Sequence, residues 1–170
     1  MIHSASLSIV AIPGLILLAG VIDDLRSKKI HNKLVLAAFL LAVVSQSVIH
    51  GLGALPQAGL AVGAAFFVSL PLVLARALGA GDMKLLMALA PLFLWTDILW
   101  MFFYALIWGA LLGIIRSMLQ GQAGQLVRNT LALTGPNRPD RQSLQSIPFS
   151  VALLFGWMTH LSWLQMGGYL

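Results

Sequence analysis

Asp24 and Asp82 are two of only five acidic residues in the chain, and each lies at the edge of a long apolar run. A charged side chain at bilayer depth costs roughly 2.5–3.5 kcal/mol on insertion scales, so an acid in such a place is a functional candidate. Asp82 follows Gly79-Ala80-Gly81 and precedes Met83-Lys84. Glycine tolerates φ > 0 and lets another backbone come close, so the sequence presents Asp82 as exposed and approachable. Two carboxylates brought within a few ångströms cannot both ionise easily. They share one proton and titrate in two steps. At neutral pH one member is then an acid and its partner a base, which activates water against a peptide carbonyl and protonates the leaving amine.

Other hydrolytic chemistries lack their parts. There is no Cys, hence no thiol nucleophile, thiolate metal site or disulfide. His3, His31, His50 and His160 are scattered without ligand spacing, and no Gly-x-Ser-x-Gly elbow occurs. An aspartyl pair is the complete hydrolytic set that remains. It needs no cofactor and no metal.

The elements that must carry this pair are membrane helices. The chain is 59% hydrophobic and 9% charged, with mean hydropathy +0.93. A soluble domain is usually about one-quarter charged, so the bilayer is the expected solvent. The expected fold is all-α, a single integral-membrane domain over residues 1–170 with six transmembrane helices. The apolar runs are Ala5–Ile22, Leu34–Ile49, Ala58–Leu78, Met83–Leu94, Ile98–Ile115 and Pro148–Met166. The first is followed by Asp23-Asp24 and has no basic region ahead of it, which reads as a retained span, not a cleaved signal. The fourth is short, about 20 Å at 1.5 Å per residue against a hydrocarbon core of about 30 Å. Placing Asp82 and Lys84 below the membrane surface, inside the protein, resolves the shortfall. So does local thinning beside Trp95-Thr96-Asp97. Residues 116–146 form a long polar loop, in which Leu126, Val127, Thr130, Leu131 and Leu133 suit an interfacial amphipathic helix.

All ten Lys and Arg fall in the connections after the first, third and fifth spans or, for Arg76 and Lys84, in the span ends beside them. By the positive-inside rule both termini face away from the cytoplasm. Asp23, Asp24 and Asp82 then share the cytoplasmic side, and Asp97 lies opposite. Trp95, Trp100 and Trp163 fall near the far interface, where indole rings anchor. The formal charge of +5 is explained by this orientation and calls for no nucleic acid.

Gly79-x-Gly81-Asp82-x-Lys84 resembles the G-x-G-D-x-K motif of bacterial prepilin peptidases, membrane aspartyl proteases that share G-x-G-D with presenilin and signal peptide peptidase. Asp24-Leu25-Arg26, leading to Ile30-His31-Asn32, resembles the family's other motif, an Asp followed by basic residues and then Ile-Pro-Asn. Counting back from Ile30 matches the family's first aspartate to Asp24, not Asp23. His31 departs from the family's Pro, which would preset the turn, and it reads as a solvated loop residue. Ser146-Ile147-Pro148-Phe149 is similar to the family's Ile-Pro-Phe/Tyr opening of the last helix.

The resemblance implies catalytic Asp24 and Asp82, with Gly79, Gly81, Lys84 and Asn32 in supporting or substrate-binding places. Lys84 would hold Asp82 or contact substrate backbone, or else snorkel to the interface. Asn32 suits the cap of the second span. The implied substrates are prepilin-like proteins, with a short basic leader before an apolar helix, cut just after a glycine. The implied location is the bacterial inner membrane, in contact with lipid, as a multi-pass protein. Larger family members carry zinc-binding cysteines and are linked to N-methylation. This cysteine-free chain looks like the short, peptidase-only branch of tight-adherence (Flp-type) pilus systems, and methyl transfer is not expected. Two other readings compete. One is a small transporter or channel using intramembrane Asp residues, against which no internal repeat is found. The other is a non-enzymatic subunit of a secretion machine.

Overall fold

A computed structural model describes residues 2–119 and 149–166. Six α-helices and no strand occur among them: α1 (Ile2–Ser27), α2 (Asn32–His50), α3 (Leu55–Leu74), α4 (Ala80–Leu89), α5 (Trp95–Leu119) and α6 (Phe149–Met166). Two 3₁₀ turns, Leu52–Ala54 and Ala90–Leu92, precede α3 and follow α4. The all-α expectation is met. The amphipathic helix at Leu126–Leu133, the Pro136–Asp140 loop and Ser146-Ile147-Pro148 lie outside the described residues.

Three stretches are long and apolar enough to cross a membrane: Asn32–His50, Leu52–Leu74 and Trp95–Arg116, with mean hydropathies of 1.8, 1.9 and 2.2. The first two bury small residues and expose large ones, whereas the third buries Ile98, Met101 and Phe102. On α3 the buried residues are Ala58, Ala61, Ala65 and Ser69, while Leu60, Phe67 and Leu74 point outward. That inverts the pattern of a water-soluble helix. Small residues let helix backbones approach where lipid, not water, surrounds the bundle. Ser69 avoids an unpaired buried hydroxyl by donating to the Ala65 carbonyl at 2.6 Å.

Several boundaries differ from the sequence expectation, each for a local reason. The third apolar run does not stay helical to Leu78. Arg76 adopts φ +63°, its N–H bonds the Val73 carbonyl, and the Ala77 N–H reaches back to Leu72 at 2.8 Å. This is a left-handed cap that closes the helix, with Arg in the place glycine usually takes. The fourth helix starts earlier than Met83, at Ala80. It ends at Leu89, where the Ala90–Leu92 turn containing Pro91 tightens the chain. The fifth runs past Ile115 to Leu119, so Arg116 is helical instead of opening the loop.

At ten residues α4 is about 15 Å long, too short to cross a bilayer. Its position explains why that is tolerable. Leu85, Leu86 and Leu89 are wholly buried, and α4 packs against α1, α2, α3 and α6. The most extensive contact in the molecule is α5 against α6. There Gly156 leaves its missing Cβ only 2.6 Å from the Ala105 nitrogen and 2.7 Å from the Met101 oxygen. Trp108 Nε1 donates to Thr159 Oγ1 at 2.9 Å across the same seam.

Candidate active site

The site is assembled from the ends of four helices. Asp24 lies in the last turn of α1, whose chain turns at Lys28, another left-handed residue at φ +52°. The Lys28 N–H closes the turn on the Asp24 carbonyl at 2.8 Å. Asp82 is in the first turn of α4, where a carboxylate meets the positive end of the helix dipole. It stands just ahead of the fourth apolar run, Met83–Leu94.

Burial pushes the Asp82 carboxyl from its ordinary 3.8 up to about 7, reinforced by the negative charge of Asp24 and opposed by the Gly79 backbone. The two acids from distant segments therefore act on each other. Asp24 has a further partner. Ser150 Oγ donates to Asp24 Oδ2 at 2.6 Å, from a wholly buried position in the first turn of α6. Sequence reasoning missed Ser150. A signal was available, because the Ile147-Pro148-Phe149 motif ends one residue before it.

The first loop and the glycine segment are joined at two further points. Lys84 Nζ donates to Asn32 Oδ1 at 3.0 Å. Lys84 thus contacts the other motif, and among the described residues it makes no ion pair with Asp82. Asn32 is the first residue of α2, with His31 at the cap position and no side-chain cap bond. Its amide serves Lys84 instead of capping. Gly81 meets Ile30: a Cβ on Gly81 would lie 3.3 Å from the Ile30 Cβ.

The glycines are required for space and not for unusual backbone. Gly79 has ordinary φ −73° and ψ 142°, and Gly51 is the positive-φ glycine among the described residues. A Cβ on Gly79 would come within 2.8 Å of Asp82 Oδ2. Each glycine therefore makes room for something within this chain, the catalytic candidate's own carboxyl in one case and Ile30 in the other.

Asp23 points into the loop. Its Oδ2 accepts the His31 backbone N–H and its Oδ1 pairs with His31 Nδ1, both at 2.8 Å. The backbone N–H of His31 holds the Asp23 carboxyl below its ordinary value. Although exposed, His31 is a fixed part of the turn and not a free loop side chain. A proline there would have no N–H to give to Asp23.

A half-buried carboxyl carrying a proton near neutrality, electrostatically linked to a second carboxylate, can run general acid–base hydrolysis. The comparisons fit this chemistry. The model of the type IV leader peptidase family matches residues 10–114. That range contains both aspartates and both glycines, and stops before α6 and Ser150. No curated protein and no solved structure gives a significant match to the chain.

Proposed function

The chain belongs to the type IV leader peptidase family, and from that premise we propose that it is a membrane aspartyl endopeptidase removing the basic leader from prepilin-like proteins. Family membership implies leader peptidase activity on prepilin-type substrates, and the apolar helices make it a membrane protein. The finer reading is ours. What supports it is the gathering of the two motifs at one set of helix ends, where Ser150 holds Asp24 and Lys84 reaches Asn32, with the Asp24 charge near enough to help raise the Asp82 carboxyl.

In this mechanism Asp82 holds the shared proton and Asp24 is the base. Water between them gives a proton to Asp24 and its oxygen attacks the scissile carbonyl. Asp82 donates its proton to the carbonyl oxygen as the tetrahedral species forms. Collapse of that species breaks the C–N bond, the proton on Asp24 passes to the leaving amine, and Asp82 recovers its own. Ser150 keeps one Asp24 oxygen engaged, leaving the other to face water. Gly79 is exposed and its open side offers a path for the leader backbone, whereas the space at Gly81 is taken by Ile30. Asn32 and Lys84 hold the two motifs together. No cofactor or metal enters the cycle.

The remainder of the reading concerns placement. Six crossings with both termini outside the cytoplasm are supported by the segregation of Lys and Arg, with the fourth apolar run, Met83–Leu94, as the short one that begins just after Asp82. The cleavage junction then sits at the cytoplasmic face of the bacterial inner membrane. Flp-type prepilins suit this cysteine-free chain. Co-expression with such a prepilin, scored by gel shift on leader removal, is the test. Asp24→Asn and Asp82→Asn each lower cleavage by about 10²–10⁴-fold, the range of lost acid–base catalysis. If both variants cleave like wild type, the aspartyl mechanism is wrong.

A further inference from the structure

Ile30, His31 and Asn32 are consecutive, and each is held by a different part of the aspartyl site. Ile30 fills the space beside Gly81, where an added Cβ would lie 3.3 Å from the Ile30 Cβ. Asn32 Oδ1 accepts from Lys84 Nζ at 3.0 Å. These two contacts tie the strip to α4 on either side of Asp82 in sequence. His31 faces the other way. Its backbone N–H donates to Asp23 Oδ2 and its Nδ1 meets Asp23 Oδ1, both at 2.8 Å. His31 has extended backbone, φ −73° and ψ 136°. Successive side chains of an extended chain point to opposite faces, which lets Ile30 and Asn32 meet α4 while His31 turns to α1.

Asp23 immediately precedes Asp24 on α1. Its carboxylate pins the end of α1 to the strip, and the strip is pinned to α4. The helices do little of this directly, because α4 packs far more on α2 and α3 than on α1. Proline at position 31, as in the family motif, would fix φ near −65° by its own ring. Here nearly the same φ is held from outside, by two hydrogen bonds to a carboxylate, which are stronger than neutral ones.

We propose that Asp23 is a positioning residue for the aspartyl pair: by clasping His31 it sets where Asp24 stands against Asp82. This rests on the aspartyl peptidase reading. Asp23 touches neither substrate nor water in the cycle and acts through the Ile30-His31-Asn32 strip.

The test compares kcat and KM for leader cleavage by the full-length protein in detergent, with Asp82→Asn as the control for the reading itself. Asp23→Ala lowers kcat by about 10–100-fold with KM nearly unchanged, the scale of a displaced catalytic group. Asp23→Asn keeps kcat within about threefold, because its carbonyl accepts the His31 N–H and its NH2 donates to Nδ1. A role through charge would make the two variants equally slow. His31→Pro supplies its own φ, and in that background Asp23→Ala changes kcat by less than about twofold, so the two positions are not additive. Amide hydrogen exchange at His31 reads the clasp without substrate: it is faster in Asp23→Ala and close to wild type in Asp23→Asn. If Asp23→Ala does not fold, His31→Ala, which keeps only the backbone bond, carries the same expectation for kcat at about threefold. The proposal is overturned if Asp23→Ala cleaves like wild type while Asp82→Asn does not, if Asn and Ala at position 23 are equally slow, or if the full loss persists in the His31→Pro background. If Asp82→Asn itself cleaves like wild type, it is the aspartyl reading that has failed, and unchanged His31 exchange in Asp23→Ala separately removes the clasp.

Discussion

Asp82 is the residue whose environment most changes its chemistry. Half-buried and repelled by the Asp24 charge, its carboxyl is pushed up to about 7. The sign is fixed by the direction of that shift: a raised carboxyl pKa means protonated below the shifted value and ionised above it. If protonated Asp82 is the acid, kcat falls as pH rises through about 7. A pH–rate profile on a detergent-solubilised enzyme checks this, and activity still climbing between pH 7 and 9 would contradict it. Ser150 permits a second expectation. Its hydroxyl fixes one Asp24 oxygen at 2.6 Å, and a hydrogen bond to a charged group contributes about 1.5–3 kcal/mol. Ser150→Ala therefore lowers kcat by roughly 10–100-fold with little change in KM, and Ser150→Thr restores much of it. A merely structural serine would shift the melting temperature and leave the kcat-to-KM split untouched.

At the scale of elements, α4 and the α5/α6 pair decide the geometry. α4 presents Asp82 from a fixed place because Leu85, Leu86 and Leu89 are locked in the core. Gly20 of α1 leaves room for Leu85, whose Cδ2 is 2.7 Å from where a Cβ would be. The α1–α4 approach, and with it the spacing of the two acids, depends on that small residue. The α5/α6 seam is less forgiving. At Gly156 the atoms a Cβ would meet are backbone atoms of α5, which cannot rotate away. Gly156→Val therefore pushes the helices apart and displaces Ser150 on the same helix. The expected result is a cost of about 1–3 kcal/mol from overpacking, read as a lower melting temperature in detergent. Gly109→Ala, which meets only side-chain atoms at 3.6 Å, is tolerated.

Across the whole molecule, the exposed surface of α2, α3 and α5 is apolar, and the buried faces of α2 and α3 are lined by small residues. The orientation of that bundle is testable because the natural chain has no Cys to mutate away first. Single cysteines at Ser27 and Ala77 are labelled by a membrane-impermeant maleimide only in inside-out vesicles. Cysteines at Gly53 and Thr96 are labelled only from the other side. Labelling of Ser27→Cys and Ala77→Cys from opposite sides would remove the six-crossing reading and with it a common face for the two motifs.

Much of this architecture was written locally. Helical class, apolar composition and the two short motifs depend on neighbours in sequence, and among the described residues Lys and Arg gather at or near helix ends. Helix ends were less legible, since the cap at Arg76 uses a residue type that rarely adopts positive φ. What Gly79 and Gly81 make room for, the clasp of Asp23 on His31, the reach of Lys84 to Asn32 and the hydroxyl of Ser150 on Asp24 were not legible at all. Each is a contact between segments far apart or turned back on themselves, set by how the helices pack around α4. Residue types alone determine which groups could react; only burial and approach in three dimensions raise the Asp82 carboxyl beside Asp24, because desolvation and Coulomb repulsion act through space and not along the chain.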